Sequence, residues 1–374
     1  MLKPLQAPPK KGDLIAGKFQ VESVIGTGGM GFVVAARHLQ LAERVAVKML
    51  RFDKKSSKGL ERMLREARAC ARLRGEHVAR VMDCGVLDDG RPYVVMELAE
   101  GRNLAHELAA VGAFSIETAV DYVLQVCEAL AQAHAIGIVH RDIKPSNLVL
   151  TQRTDGSPLV KVVDFGVAKS LGVKFASLTG TGGVVGSPMY MSPEQAQDAS
   201  TVDHRTDVWS LGVVLYEFLT GKMPFPAYTA VGAMERIVME PPVAPSAWGA
   251  ALPPALERVL WWCLQKDLAQ RIQNVAQLAA LLAEVVPSQA DAAARISRIL
   301  TAPRYSAPPN VQDAPAPERA NGRDPTTVIQ PGLESTGASQ DVTPRRGVDL
   351  GTPVALLLGF LATLGVLMLL SRAC

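Results

Sequence analysis

The chain has 374 residues, which is enough for one two-lobed enzyme with a tail or for two independent domains, so length alone does not choose. It is 48% hydrophobic and 20% charged, a composition that supplies a core and excludes a chain disordered throughout. With 39 basic against 36 acidic residues the net charge is only +3, so no nucleic-acid partner is expected, and the five scattered cysteines form no Cys-x-x-Cys pair for zinc or a disulfide framework, which fits a reducing cytosol.

Residues 1–12 carry prolines and lysines without an apolar stretch, so they do not read as a secretory signal. Residues 19–25, 31–37 and 44–50 read as short antiparallel strands joined by tight turns. Between the first two lies Gly26-Thr27-Gly28-Gly29-Met30-Gly31, a G-x-G-x-x-G cluster whose glycines let backbone N–H groups approach phosphate oxygens. A dinucleotide fold would open a helix at the third glycine. Here Phe32-Val33-Val34 follows, which suits a hairpin strand and argues against that fold. Lys48 sits inside an apolar strand, where its charge needs a partner, and the helix-forming run at 59–68 offers Glu66. Residues 94–99 form an apolar strand ending in a polar turn.

Farther along, the runs at 116–136 and 206–219 are amphipathic and long enough for helices, so the second half is expected to be mainly α. Between them lies His140-Arg141-Asp142-Ile143-Lys144-Pro145-Ser146-Asn147. Asp164-Phe165-Gly166 then places a carboxylate at the end of an apolar strand, as metal ligation demands. Residues 166–187 are rich in Gly, Ser and Thr and cannot order themselves cheaply. From residue 287 to 349 the composition turns to Pro, Ala, Ser, Asp and Arg and reads as a disordered linker with a reach of about 45 Å. Residues 350–371 are uncharged and apolar, long enough at about 1.5 Å per residue for a bilayer core of roughly 30 Å, and read as a transmembrane helix. A buried C-terminal helix is the bland alternative, but the segment has no polar face. Arg345 and Arg346 before it, against Arg372 alone after it, put the preceding chain on the cytoplasmic side of the cell inner membrane or plasma membrane. Ala355, Gly359 and Thr363 form a small-residue row compatible with helix pairing, so a homodimer stays open.

Taken in order, these motifs resemble those of the bacterial eukaryotic-like serine/threonine protein kinases (Hanks-type, or Pkn), over roughly residues 19–286. The resemblance implies an α+β, two-lobed fold: a small antiparallel β-rich N-lobe with one helix (19–96) and a larger helical C-lobe (100–286), after a tail at 1–18. It also implies ATP and Mg²⁺. Gly26, Thr27, Gly28, Gly29, Met30, Gly31, Val33, Ala46, Lys48 and Glu66 would hold the nucleotide, and the main chain of Glu97 and Ala99 would meet adenine. Asp142 would orient and deprotonate the substrate hydroxyl, Lys144 would meet the moving phosphate, and Asn147 and Asp164 would ligate the metal. His140 would be structural. Lys144 marks serine/threonine rather than tyrosine specificity, and the 187–194 segment marks protein substrates, although Ser187 replaces the family's usual threonine. Glu194 would pair Arg271 and Asp207 would brace the catalytic loop. Arg141 beside Asp142 implies activation by a phosphate on Ser177, Thr179 or Thr181. Two rivals stay in view: a pseudokinase serving as a membrane-tethered scaffold, against which Lys48, Asp142, Asn147 and Asp164 all stand, and a small-molecule phosphotransferase, which would lack the peptide-groove segment.

Overall fold

The computed structural model describes residues 7–28, 31–50, 57–165, 188–198 and 202–302. Strands β1 (Leu14–Ile15), β2 (Phe19–Gly28), β3 (Gly31–His38), β4 (Arg44–Leu50), β5 (Val81–Val86) and β6 (Pro92–Glu97) form one antiparallel sheet in the order β1-β2-β3-β4-β6-β5, accompanied among the described residues by one helix, α1 (Ser57–Cys70). Side chains alternate across a strand, and β4 shows the result. Val45, Val47 and Met49 join Phe19, Phe32, Tyr93 and Val95 in a core on one face, while Ala46 and Leu50 pack on the other face with Met63 and Ala67 of α1. Lys48 has the parity of Ala46 and Leu50, so it too points toward the second face. The sheet begins before the expected boundary at Phe19, because Leu14 and Ile15 pair with β2 and Ile15 is 5% exposed.

After β7 (Arg102–Asn103) the chain becomes helical, with α2 (Leu104–Val111) and α3 (Ile116–Ala135). Ser115 caps α3, its Oγ accepting the Thr118 amide at 3.2 Å. Strands β8 (Leu148–Gln152) and β9 (Pro158–Val162) form a hairpin beside β7. The remaining helices are α4 (Pro193–Gln197), α5 (Arg205–Thr220), α6 (Ala230–Met239), α7 (Pro254–Cys263), α8 (Val275–Val285) and α9 (Ala290–Thr301). Helix α5 is apolar nearly all round and runs through the core beside α3 and α7, its end set by Gly221 in the left-handed region (φ 65°).

The expected linker does not start at residue 287. A 3-10 turn at Pro287–Gln289 leads into α9, which packs on α3 and α8 with Ile296 fully buried. Alanine favours helix most of all residue types, and Ala292, Ala293, Ile296, Ile299 and Leu300 repeat at helical spacing. Among the described residues no helix is long and apolar enough to cross a membrane. The expected span at 350–371 and the linker from 303 onward lie outside the described residues.

Candidate active site

The glycine cluster is the tip of the β2–β3 hairpin. Gly26, Thr27 and Gly28 lie opposite Val33, Phe32 and Gly31, whereas Gly29 and Met30 lie outside the described residues. Gly31 has φ +135°, and a Cβ there would stand 2.0 Å from the Met49 carbonyl oxygen, so β4 passes too close for any side chain. Across β3 and β4 Val33 faces Lys48, and across β4 and β6 Ala46 faces Met96. Ala46 and Lys48 therefore sit side by side on the surface that looks away from the sheet's own core. A narrow cavity lined by Lys48, Leu50, Ala79, Val81, Val94, Met96, Asp164 and Phe165 runs behind them. Glu97 ends β6. Its carboxylate binds Lys161 at 2.8 Å and its N–H donates to the Arg80 carbonyl, while Ala99 lies in the irregular backbone that follows.

Lys48 does find a carboxylate, but it is Asp164 from the far lobe, with Nζ–Oδ2 at 2.5 Å. The expected Lys48–Glu66 pair is not formed. Glu66 is held by Arg62, one turn away on α1, at 3.2 Å, and partial burial raises its carboxyl above the usual range despite the attraction of Arg62 and Arg141. An i,i+4 partner on the same helix captures the acid locally, whereas reaching Lys48 depends on where α1 sits against the sheet.

The run from His140 to Asn147 closes on itself. Lys144 Nζ donates to Asp142 Oδ2 at 2.8 Å, and the Asn147 amide donates to the Asp142 carbonyl at 2.9 Å and to Oδ2 at 3.0 Å. A 3-10 turn at Pro145–Asn147 brings these groups together. Beneath them His140 is fully buried. Its Nδ1 accepts the Asp142 amide at 3.2 Å, so the proton sits on Nε2, which donates to the Val163 carbonyl at 3.2 Å. Burial lowers its pKa and keeps the ring neutral, and the ring packs 4.8 Å from Phe165. The loop that holds Asp142 is thus bonded to the segment that holds Asp164.

Asp207 of α5 supplies the floor. It is fully buried and accepts the Arg141 amide at 2.8 Å, the His140 amide at 2.9 Å and the His134 ring at 2.8 Å. Burial pushes its carboxyl upward, but these donors prevail and hold it below the usual range. Arg141 and Asp164 both adopt left-handed backbone, φ 65° and 69°, a strain that such fixed contacts sustain. Glu194 and Arg271 form the expected buried pair, bidentate at 2.7 and 3.0 Å. The sequence did not single out His134, or Gln195, whose amide donates to the Arg141 carbonyl at 3.0 Å. His134 could have been found as a histidine on the buried face of a long helix, whereas Gln195 carried no such signal. Gly166, Ser177, Thr179, Thr181 and Ser187 lie outside the described residues.

The donor set suits a hard cation. The Asn147 amide nitrogen is engaged by Asp142, which turns its oxygen to other partners, and Asp164 adds a carboxylate. Among the described residues no group of three or more His, Cys, Asp or Glu could hold a metal alone. The Asn147 and Asp164 oxygens are a donor set compatible with a cation such as Mg²⁺, which takes one or two protein oxygens together with substrate phosphates.

A lysine and an aspartate that meet across two lobes, above a loop joining Asp, Lys and Asn, define the class of two-lobed phosphotransferases. The model of the protein kinase domain matches residues 19–281, and the chain belongs to that family. The serine/threonine-protein kinase pkn3 of Myxococcus xanthus is 38% identical over 314 residues, covering 83% of this chain and 56% of its own. PknB of Mycolicibacterium smegmatis, a serine/threonine-protein kinase, is 37% identical over 317 residues, 82% of this chain and 50% of its own. The chain therefore spans about half the length of the curated relatives it matches. The crystal structure of the PknI kinase domain of Mycobacterium tuberculosis superposes with a TM-score of 0.58 at 25% identity, covering 74% of this chain and 99% of that one.

Proposed function

We propose that the chain transfers the γ-phosphoryl group of ATP to serine or threonine hydroxyls of protein substrates. The observation that carries this reading is the convergence of Asp142, Lys144 and Asn147 within hydrogen-bond reach, with Asp164 tied to the same loop through His140. Phosphoryl transfer needs little covalent chemistry from the protein, and positioning and charge do most of the work. Asp142 orients the acceptor hydroxyl and takes up its proton. Lys144, already paired with Asp142, offsets the negative charge that builds on the moving phosphoryl group. Lys48 anchors nucleotide phosphates beneath the hairpin tip, and the main chain at Glu97 and Ala99 receives the adenine. Asn147 and Asp164 would hold Mg²⁺, which when bound would neutralise phosphate charge. The serine/threonine assignment draws on Lys144 and on the printed names of the relatives.

Phosphate on Ser177, Thr179 or Thr181 activates the enzyme by pairing with Arg141, and the apolar 350–371 segment tethers it to the membrane with its catalytic lobes in the cytoplasm. Transfer of labelled phosphate from ATP to a generic basic protein tests the central reading. Wild type transfers in the presence of Mg²⁺, and Asp142→Ala falls by roughly 10²-fold or more. A wild-type chain that binds ATP but transfers nothing is a scaffold instead. Full activity from a phosphate-free Thr179→Ala, Thr181→Ala double variant removes the switch and leaves the chemistry standing.

A further inference from the structure

Positive charge is not spread evenly along the chain. Residues 51–80 hold ten lysines and arginines against four acids, whereas the whole chain holds 39 against 36. Part of that surplus lies on α1. Met63, Ala67 and Cys70 are buried on its inner side, and Arg65, Arg68 and Arg72 lie exposed on the outer side, three and four residues apart. Arg72 follows the last residue of α1, but the Ala71 amide still donates to the Ala67 carbonyl and the Arg72 amide to the Ala69 carbonyl. The row therefore runs on past the helix end, for about 10 Å at 1.5 Å per residue. The phosphotransfer reading uses none of these three arginines.

Little of the protein answers their charge. Among the described residues none of the three donates to a carboxylate: Glu66 is bonded to Arg62, at the edge of the row, and attracts Arg65 only through space. Glu61 is exposed on the same side by its spacing, one acid beside three arginines, and Arg74 and Arg80 lie exposed just beyond the row.

The face is also bare of apolar anchors. Among the described residues no exposed large hydrophobic side chain lies between Leu41 and Val86. Protein partners bind through a centre rich in aromatic and apolar side chains and poor in charge, so a row of arginines alone suits them badly. A lipid surface makes no such demand. Its headgroups form a continuous plane, and an anionic leaflet draws in lysine and arginine held near it without any pocket.

We propose that the outer face of α1 docks on anionic lipid headgroups through Arg65, Arg68 and Arg72. The nearby membrane is the one to which residues 350–371 are read as tethering the chain, so the proposal rests on that reading for the source of the surface. The chemistry of the face does not depend on it. Without the tether this attraction is weak and readily reversed, and a chain lacking residues 350–371 still washes off a membrane.

Both apolar cores close before residue 303, so a chain ending at Asp349 folds without the apolar segment and reports on α1 alone. Its co-sedimentation is measured with phosphatidylcholine vesicles and with vesicles that also carry phosphatidylglycerol. The chain binds the anionic vesicles and not the neutral ones, and it comes off at about 1 M salt, where the Debye length falls to roughly 3 Å. Arg65→Gln, Arg68→Gln and Arg72→Gln together weaken binding by about tenfold or more at an unchanged melting temperature. Lys222→Gln, Arg258→Gln and Arg298→Gln, which remove as much charge from exposed positions of the helical lobe, leave binding within about twofold. No binding to anionic vesicles, equal binding to neutral ones, equal weakening by the two triple variants, or tighter binding to polyglutamate or duplex DNA overturns the assignment. Should the α1 triple variant fail to fold, Arg72→Gln alone decides, and binding undiminished there is equally fatal. Failure of the tether shows separately, as loss of the full chain from a membrane pellet washed in about 1 M salt, which screens the arginines.

Discussion

Glu66 stands between two conflicting demands. In this structure burial holds its carboxyl above the ordinary 4.5. A raised folded value means that the group works against stability once the pH rises from about the unfolded value through the folded one. Glu66→Gln is therefore expected to unfold at a higher temperature than wild type at neutral pH, with the gap closing as the pH falls below the ordinary carboxylate range. If Lys48 must exchange Asp164 for Glu66 to bind phosphate, the same variant loses activity by roughly 10²-fold, as a misplaced anchoring group does. A calorimetric melting series across pH and a phosphotransfer assay test the two halves separately. The same residue shows why some of the site was legible and some was not. Asp142, Lys144 and Asn147 lie within one short loop, so their spacing nearly determines that they meet. Glu66 and Lys48 lie on separate elements, and their distance follows from how a helix docks on a sheet, which no local pattern encodes.

At the scale of elements, the Glu194–Arg271 pair locks α4 to the segment between α7 and α8, under Trp209 of α5, whose ring lies 5.1 Å from the guanidinium. Arg271→Ala leaves a buried carboxylate without its partner and is expected to destabilise by roughly 3–5 kcal/mol in urea unfolding. The pH dependence should change sign as well. Burial raises the Glu194 carboxyl, yet Arg271 brings it below the ordinary 4.5, so its stabilising contribution is present above that value and lost as the pH falls through the folded one. In the variant the unpaired acid has a raised pKa, so the variant regains stability on acidification. Helix α9 makes a second case. Ile296 is fully buried against α3 and α8, and Ile296→Ala is expected to cost about 2–5 kcal/mol. The sequence hid this helix because its apolar residues sit among alanine, serine and arginine just before a proline-rich stretch, and composition averages over both. The strands of the first lobe were easier to read: alternation and β-branched residues marked β2, β3 and β4 to within a few residues, whereas two-residue β1 carried too short a pattern to register.

At the scale of the molecule, among the described residues one core runs from the α1 face of the sheet through α3, α5 and α8, while a second is confined to the outer face of the sheet. Met63 and Ala67 of α1 belong to the same apolar cluster as Phe165 and Trp209, so the two lobes share packing. Membrane attachment through residues 350–371 is a matter for fractionation: a chain ending at Asp349 should move from the membrane pellet to the soluble fraction and keep its phosphotransfer rate. The braced loop bears on the order in which the chain folds. Asn147 and Asp164 flank a single hairpin, a local arrangement that forms early, but the Asp207 bonds to the catalytic loop span 66 and 67 positions, and the Arg271 bonds to Glu194 span 77. Because a chain emerges from its N-terminus, the glycine hairpin and Lys48 precede Asp207 and Arg271, which brace the loop of Asp142 and its neighbours. The α1 side of the first lobe shares its core with α3, α5 and α8, so a nascent polypeptide completes neither that face nor the Asp207 and Arg271 braces until those helices have emerged.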